Sequence, residues 1–118
     1  TVDSGGSILF QEDAIVALDS LASLSVVAGG NIEVHHQTAF SAANGATAVV
    51  EGGGNIVFRN TSRAELSTGA SLEVFDLGSI QFFDATAVSL FSAASLEVYN
   101  GGSITFNQAA ALHTDAAT

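Results

Sequence analysis

The sequence predicts an all-β fold: a three-sided parallel β-helix (β-solenoid) of ~24 residues per coil, with nearly five coils and no capping elements. Three observations predict it. First, GGSILF, GGNIEV, GGNIVF, GSIQF and GGSITF recur, and their glycines Gly6, Gly30, Gly54, Gly78 and Gly102 keep one constant spacing without insertion. Second, each row of the repeat, from one of these glycines to the next, contains three octads of the form small-x-Φ-x-Φ-x-x-x. Third, rows laid beneath one another give columns that are nearly pure. A repeat of this length dictates architecture before local propensity is consulted.

The strands follow from the octad. Its first Φ falls at Ile8, Val16, Leu24, Ile32, Phe40, Ala48, Ile56, Ala64, Leu72, Ile80, Val88, Leu96, Ile104 and Leu112, all apolar. The second Φ series starts at Val2 and fails only at Thr114. Alternation at period 2 over about five residues marks a half-buried strand. The other three residues of the octad turn the chain, and small residues such as Gly6, Ala14 and Ala22 open the next strand. Three strands close a row, so each row lies on the last with like residues about 4.8 Å apart. The coils run about 6–29, 30–53, 54–77, 78–101 and 102–118, within a single domain 1–118.

The core follows from the columns. One is isoleucine throughout (Ile8, Ile32, Ile56, Ile80, Ile104) and one valine throughout (Val2, Val26, Val50, Val74, Val98). A third reads Phe10, Val34, Phe58, Phe82, Phe106. These ladders fill the interior, while Glu33, Gln81 and Thr105 point to solvent. A carboxylate placed in such a dry ladder, as in Ile56→Asp, abolishes folding. The glycine column fits corners needing φ > 0 or close backbone approach. Proline is absent because every strand has neighbours above and below and a ladder donor cannot be lost. Spacings of 2 and 8 never make the i, i+3, i+4 stripe of a helix, and a β-sandwich would vary its loop lengths. Each row buries about six apolar side chains, at roughly 1.5–3 kcal/mol apiece before entropy. Only stacking realises that gain, so stability grows with row number.

The ends carry a second expectation. Val2 already occupies the valine column, Leu112 is still in phase, only 114–118 lose hydrophobicity, and no capping helix is legible. The length is two residues short of five rows. Either the chain is a piece of a longer solenoid, or subunits stack head to tail through Val2, Ile8, Phe10, Ile104, Phe106 and Leu112. Heterologous contacts of that kind do not close and give a filament.

Composition excludes other classes. Twelve acidic against two basic residues give a net charge of −10, with no basic surface to neutralise nucleic-acid phosphates or an anionic membrane. No apolar run reaches the length of a membrane span, and no signal peptide is legible. With no cysteine there is neither a disulfide framework nor a thiolate zinc site, and the redox compartment stays unnamed.

The tracts SLEVYNGGSITF (95–106) and SLEVFDLGSIQF (71–82) resemble the Gly-Ser-rich strand-turn-strand repeats of β-solenoid passengers in secreted bacterial adhesins, the autotransporter and filamentous-haemagglutinin-like group. GGGNIVFRN (52–60) is similar to the GG-[ALIV]-I and FxxN repeats of chlamydial polymorphic membrane proteins, in diluted form. The resemblance spans the chain. It implies a right-handed coil and an extracellular or cell-surface structural role, and carries over no catalytic residues. The short length and the lack of a β-barrel translocator depart from that group.

Few residues suggest chemistry. Glu73 and Glu97 share an outward column, with Asp76 and Asp84 at corners nearby. Stacked carboxylates raise a pKa or recruit a cation such as Ca²⁺, although the calcium nonapeptide is absent and a solvated acidic face is the plainer reading. His35 and His36 are adjacent and point to opposite faces; His36 shares a corner column with Glu12 and Asn60. Arg59 and Arg63 are expected to pair with Glu51 or Glu65, for little energy. Pectin-cleaving β-helices need long loops and Asp with Lys or Arg, which uniform corners and a chain without lysine do not offer. The hydroxyl column Ser23, Thr47, Ser71, Ser95 hints at ice binding, but its partner column ends in Glu73 and Glu97. Phe75 and Tyr99 stack outward, and with Phe83 and Phe91 they form a candidate lateral interface between solenoids. The expectation is therefore a non-enzymatic, cofactor-free extracellular structural protein. It is either the subunit of a self-assembling filament or a fragment of an adhesin that binds a host surface or glycan.

Overall fold

The computed structural model describes residues 1–2, 5–107 and 109–114; residues 3, 4, 108 and 115–118, the last being the tail of the fifth predicted coil, lie outside them. Fourteen strands follow in order: β1 (Ile8–Phe10), β2 (Ile15–Leu18), β3 (Ser23–Val26), β4 (Asn31–Val34), β5 (Ala39–Ala42), β6 (Thr47–Val50), β7 (Asn55–Phe58), β8 (Arg63–Leu66), β9 (Ser71–Val74), β10 (Ser79–Phe82), β11 (Ala87–Leu90), β12 (Ser95–Val98), β13 (Ser103–Phe106) and β14 (Ala111–Thr114). They form three parallel sheets ordered β1-β4-β7-β10-β13, β2-β5-β8-β11-β14 and β3-β6-β9-β12. The predicted β-solenoid, with ~24 residues per coil, is the fold.

Register is unshifted throughout. Ile8 pairs with Ile32, Ile32 with Ile56, Ile56 with Ile80 and Ile80 with Ile104. Val26 pairs with Val50, Val50 with Val74 and Val74 with Val98, and Val2 bridges Val26. A slip of one residue would turn every ladder to solvent, so burial of one face fixes the pairing.

The corners differ from the predicted division of the octad. Strands are four residues long, except three-residue β1, and corners take four residues rather than three. The two central corner residues both have positive φ: Glu12 and Asp13, His36 and Gln37, Asn44 and Gly45, Asp76 and Leu77, Asn100 and Gly101 are examples. Eight corners are closed by a bond from the fourth residue to the first, such as Thr38 N to His35 O (3.2 Å) and Ala46 N to Ala43 O (3.1 Å). This is the type I′ arrangement of backbone angles, here bending the chain from one sheet to the next, and it takes four residues from each octad. For the glycine column, the structure selects the second of the two expected reasons. Gly30, Gly54, Gly78 and Gly102 are not the residues at positive φ. Their role is close approach: a Cβ on Gly30 or Gly54 would lie 1.8 Å from the carbonyl oxygen of the glycine one coil back.

The interior is apolar and continuous. Ile32, Ile56, Ile80, Val26, Val50, Val74, Phe58 and Phe82 are fully buried, and Val2, Ile8, Phe10 and Val98 are partly buried against them. Phe58 stacks on Phe82 (5.2 Å, 22°) and Phe82 on Phe106 (4.8 Å, 19°). Volume is balanced within each coil: Phe40, which meets Phe58 edge-on, shares its row with Ala42, Ala46 and Ala48. Close packing requires such compensation. Ile104, Phe106 and Leu112, predicted as ladder members, keep their columns but are 40%, 37% and 47% exposed, since no described coil covers them.

Candidate functional site

Strands β1, β2 and β3 form one edge of the stack, and β12, β13 and β14 the other. An edge strand offers backbone N–H and C=O groups to a further strand. Here each edge also offers the ladder side chains. Ile104, Phe106 and Leu112 stand at one edge; Val2, Ile8 and Phe10 are half-covered at the other. The structure thus places all six residues of the predicted end-to-end interface at the two edges.

The side formed by β3, β6, β9 and β12 carries the acidic column. Glu73 pairs in register with Glu97. Ser71 Oγ donates to Glu73 Oε1 and Ser95 Oγ to Glu97 Oε1, both at 2.6 Å, and Tyr99 OH donates to Glu97 Oε2. The expected rise in carboxylate pKa is reversed at Glu97. The Ser95 hydroxyl, and then that of Tyr99, hold its carboxyl below the ordinary value. The same bond holds the Tyr99 phenol up, with the charges of Glu97 and Glu73 adding to it. Asp76 accepts from Asn100 Nδ2 at 3.0 Å. Asp84 lies on another corner, between β10 and β11, and does not join the column. Among the described residues no three His, Asp or Glu come together as metal ligands.

The four outward aromatics each meet a local partner. Phe75 stacks on Tyr99 (4.6 Å, 7°), Arg59 lies over the Phe83 ring (4.8 Å), and Phe91 faces His113 (5.9 Å). Of the four only Tyr99 is an exposed large side chain, at 39%. Arg59 departs from expectation in choosing a ring over a carboxylate, because one coil-step puts Phe83 directly beside it. Arg63 does meet Glu65, at 3.5 Å in solvent. His35 Nε2 lies 3.1 Å from Glu33 Oε2, out of line for a hydrogen bond.

One concavity of about 480 Å³ runs along the corner between the first and second sheets, lined by Glu12, Asp13, His36, Gln37, Asn60, Thr61 and Asp84. The column Glu12, His36, Asn60 was legible from the repeat. The contribution of Asp13, Gln37 and Thr61 was not, because it depends on two consecutive left-handed residues at each turn. The Asn-Gly pairs at 44–45 and 100–101, strong type I′ signals, could have revealed that geometry. The furrow offers carboxylates, amides and a hydroxyl at regular axial steps, suited to hydrogen bonding a polyhydroxylated ligand.

No family model, no curated protein and no solved structure matches the chain.

Proposed function

We propose that the protein is structural and acts by coil-on-coil stacking, as the subunit of an extracellular fibre assembled head to tail. The observation that carries this reading is that the two edges expose the same ladders, Ile8 and Phe10 at one and Ile104 and Phe106 at the other. Laying one edge on the other continues the interior, at roughly 25 cal/mol for each Å² of apolar surface covered. A head-to-tail contact between unlike edges repeats without closing and yields a fibre. The likeness of residues 71–82 and 95–106 to adhesin passengers supports the extracellular setting. Sedimentation of the chain against Ile104→Asp tests the reading. Because Ile104 is 40% exposed, the variant keeps its fold but carries a charge on the edge. Oligomers that grow with concentration in the parent and vanish in the variant are expected; identical sedimentation of the two overturns it.

A second reading is favoured by the corner furrow: a segment of an adhesin whose side binds a glycan. A glycan-array signal that is lost in Asn60→Ala would support it, and an array without signal would count against it.

A further inference from the structure

The corner between the first and second sheets differs from the other two in what its side chains are left to do. We infer that its furrow takes a linear glycan carrying free amino groups, laid along the solenoid axis with ammonium groups at two acidic ends and hydroxyls on the neutral stretch between them. Such a site rests on the glycan-binding reading above and narrows its ligand to one class of sugar.

The floor of the furrow is made by the turns themselves. Asp13 N donates to His36 O, Gln37 N to Asn60 O and Thr61 N to Asp84 O, each at 3.0 Å. These rungs run from coil to coil, so the corner backbone is satisfied without help from side chains. Both central residues of each of these turns are left-handed, and their side chains line the concavity of about 480 Å³. At the other corners side chains are tied to one another across a coil step, Asn44 to Asp19 and Asn100 to Asp76. Here Thr61 Oγ1 turns back onto Asn60 O (2.6 Å). The side chains of Glu12, Asp13, His36, Gln37 and Asn60 make no hydrogen bond or ion pair among the described residues, and all line the furrow.

Charge is set at the two ends of this furrow. Glu12 and Asp13 stand at one end. Asp84, in the same column as Glu12, lies three coil steps on, about 14 Å away. His36, Gln37, Asn60 and Thr61 fill the interval without a carboxylate. The chain's two fixed cations do not balance these ends, because Arg59 lies over Phe83 (4.8 Å) and Arg63 meets Glu65 (3.5 Å). A complementary ligand therefore brings the positive charge, together with hydroxyls for the amides and the imidazole. An extended chain of pyranose units advances by roughly one coil step per unit, so successive sugars meet successive turns. A neutral sugar leaves both acidic ends unpaired, and a uronic acid is repelled by them.

Equilibrium dialysis of the intact chain against labelled tetramers of glucosamine, N-acetylglucosamine and galacturonic acid, and against tetralysine, tests the site. Mildly acidic buffer keeps the sugar amines charged and the carboxylates ionised. The glucosamine tetramer is expected to bind about tenfold more tightly than its acetylated counterpart, the sum of two exposed ion pairs, and the uronate tetramer not to bind. Asp84→Asn, and Glu12→Gln with Asp13→Asn, should each weaken binding severalfold, whereas Glu73→Gln with Glu97→Gln on another side should leave it unchanged. Equal weakening by that second pair means that net charge alone attracts the ligand, and overturns the site. Tetralysine binding as tightly as the amino sugar overturns the sugar specificity. Acetylated or uronate tetramers binding as well, with loss in Asn60→Ala, overturn the amino-sugar class and leave the glycan reading intact. Retention of none of the sugars overturns both.

Discussion

Gly54 and Gly69 occupy corners of the same coil for opposite reasons, and substitution separates them. A Cβ on Gly54 would meet Gly30 O at 1.8 Å and Val50 Cγ1 at 2.7 Å, so the coils must part. Gly54→Ala is expected to cost about 3 kcal/mol or more, at the upper end of overpacking penalties. At Gly69 nothing lies within 4 Å and only the φ of +74° opposes alanine, at about 1–2 kcal/mol. Urea unfolding of the two variants checks the order, and equal losses would contradict it. Tyr99 offers a second residue-scale test because it is the sole tyrosine. Its phenol is raised by the bond to Glu97 and the Glu97 carboxyl is lowered by Ser95 and Tyr99. The carboxylate's share of stability is therefore present above its unfolded pKa and fades as pH falls through the folded one. The phenol's share is present below about 10, its unfolded value, and fades as pH rises through the folded one. Ultraviolet titration should give a tyrosine midpoint above about 10 that falls back in Glu97→Gln. An unshifted parent would contradict the bond.

At the scale of the strand, protection should follow the depth of stacking. Strands β7 and β9 are almost wholly buried, whereas β13 is mostly exposed and all four residues of β14 are exposed. Amide exchange of the dispersed chain is expected to be slowest in β7–β9 and fastest in β13 and β14, with β13 and β14 slowing on assembly. Uniform protection before and after assembly would contradict nearest-neighbour stacking. The strands were legible because a period-2 column of Ile, Val or Phe has one physical reading when it recurs in the same place in every row. The turns were less so. Glu12, Leu21 and Leu77 have no preference for the left-handed region, and stacked backbone bonds such as Gln37 N to Asn60 O impose it at such corners. Arg59 over Phe83 was hidden for a related reason: both partners lie in one column, but nothing in the sequence chooses a ring over Glu51 or Glu65.

At the scale of the molecule, three dissimilar corners and one continuous apolar interior make a body that can be extended along its axis without altering any coil. Two terms oppose each other at the edges. Covering Ile104, Phe106 and Leu112 favours growth, while the net charge of −10 on every copy disfavours it. Salt screens the second term and leaves the first, so assembly strengthens with ionic strength. The most direct test of coil-on-coil stacking is negative-stain electron microscopy of the purified chain at neutral pH across a concentration series. Thin filaments of uniform width, longer at higher concentration, are the predicted result. Small particles of one size at every concentration would contradict it.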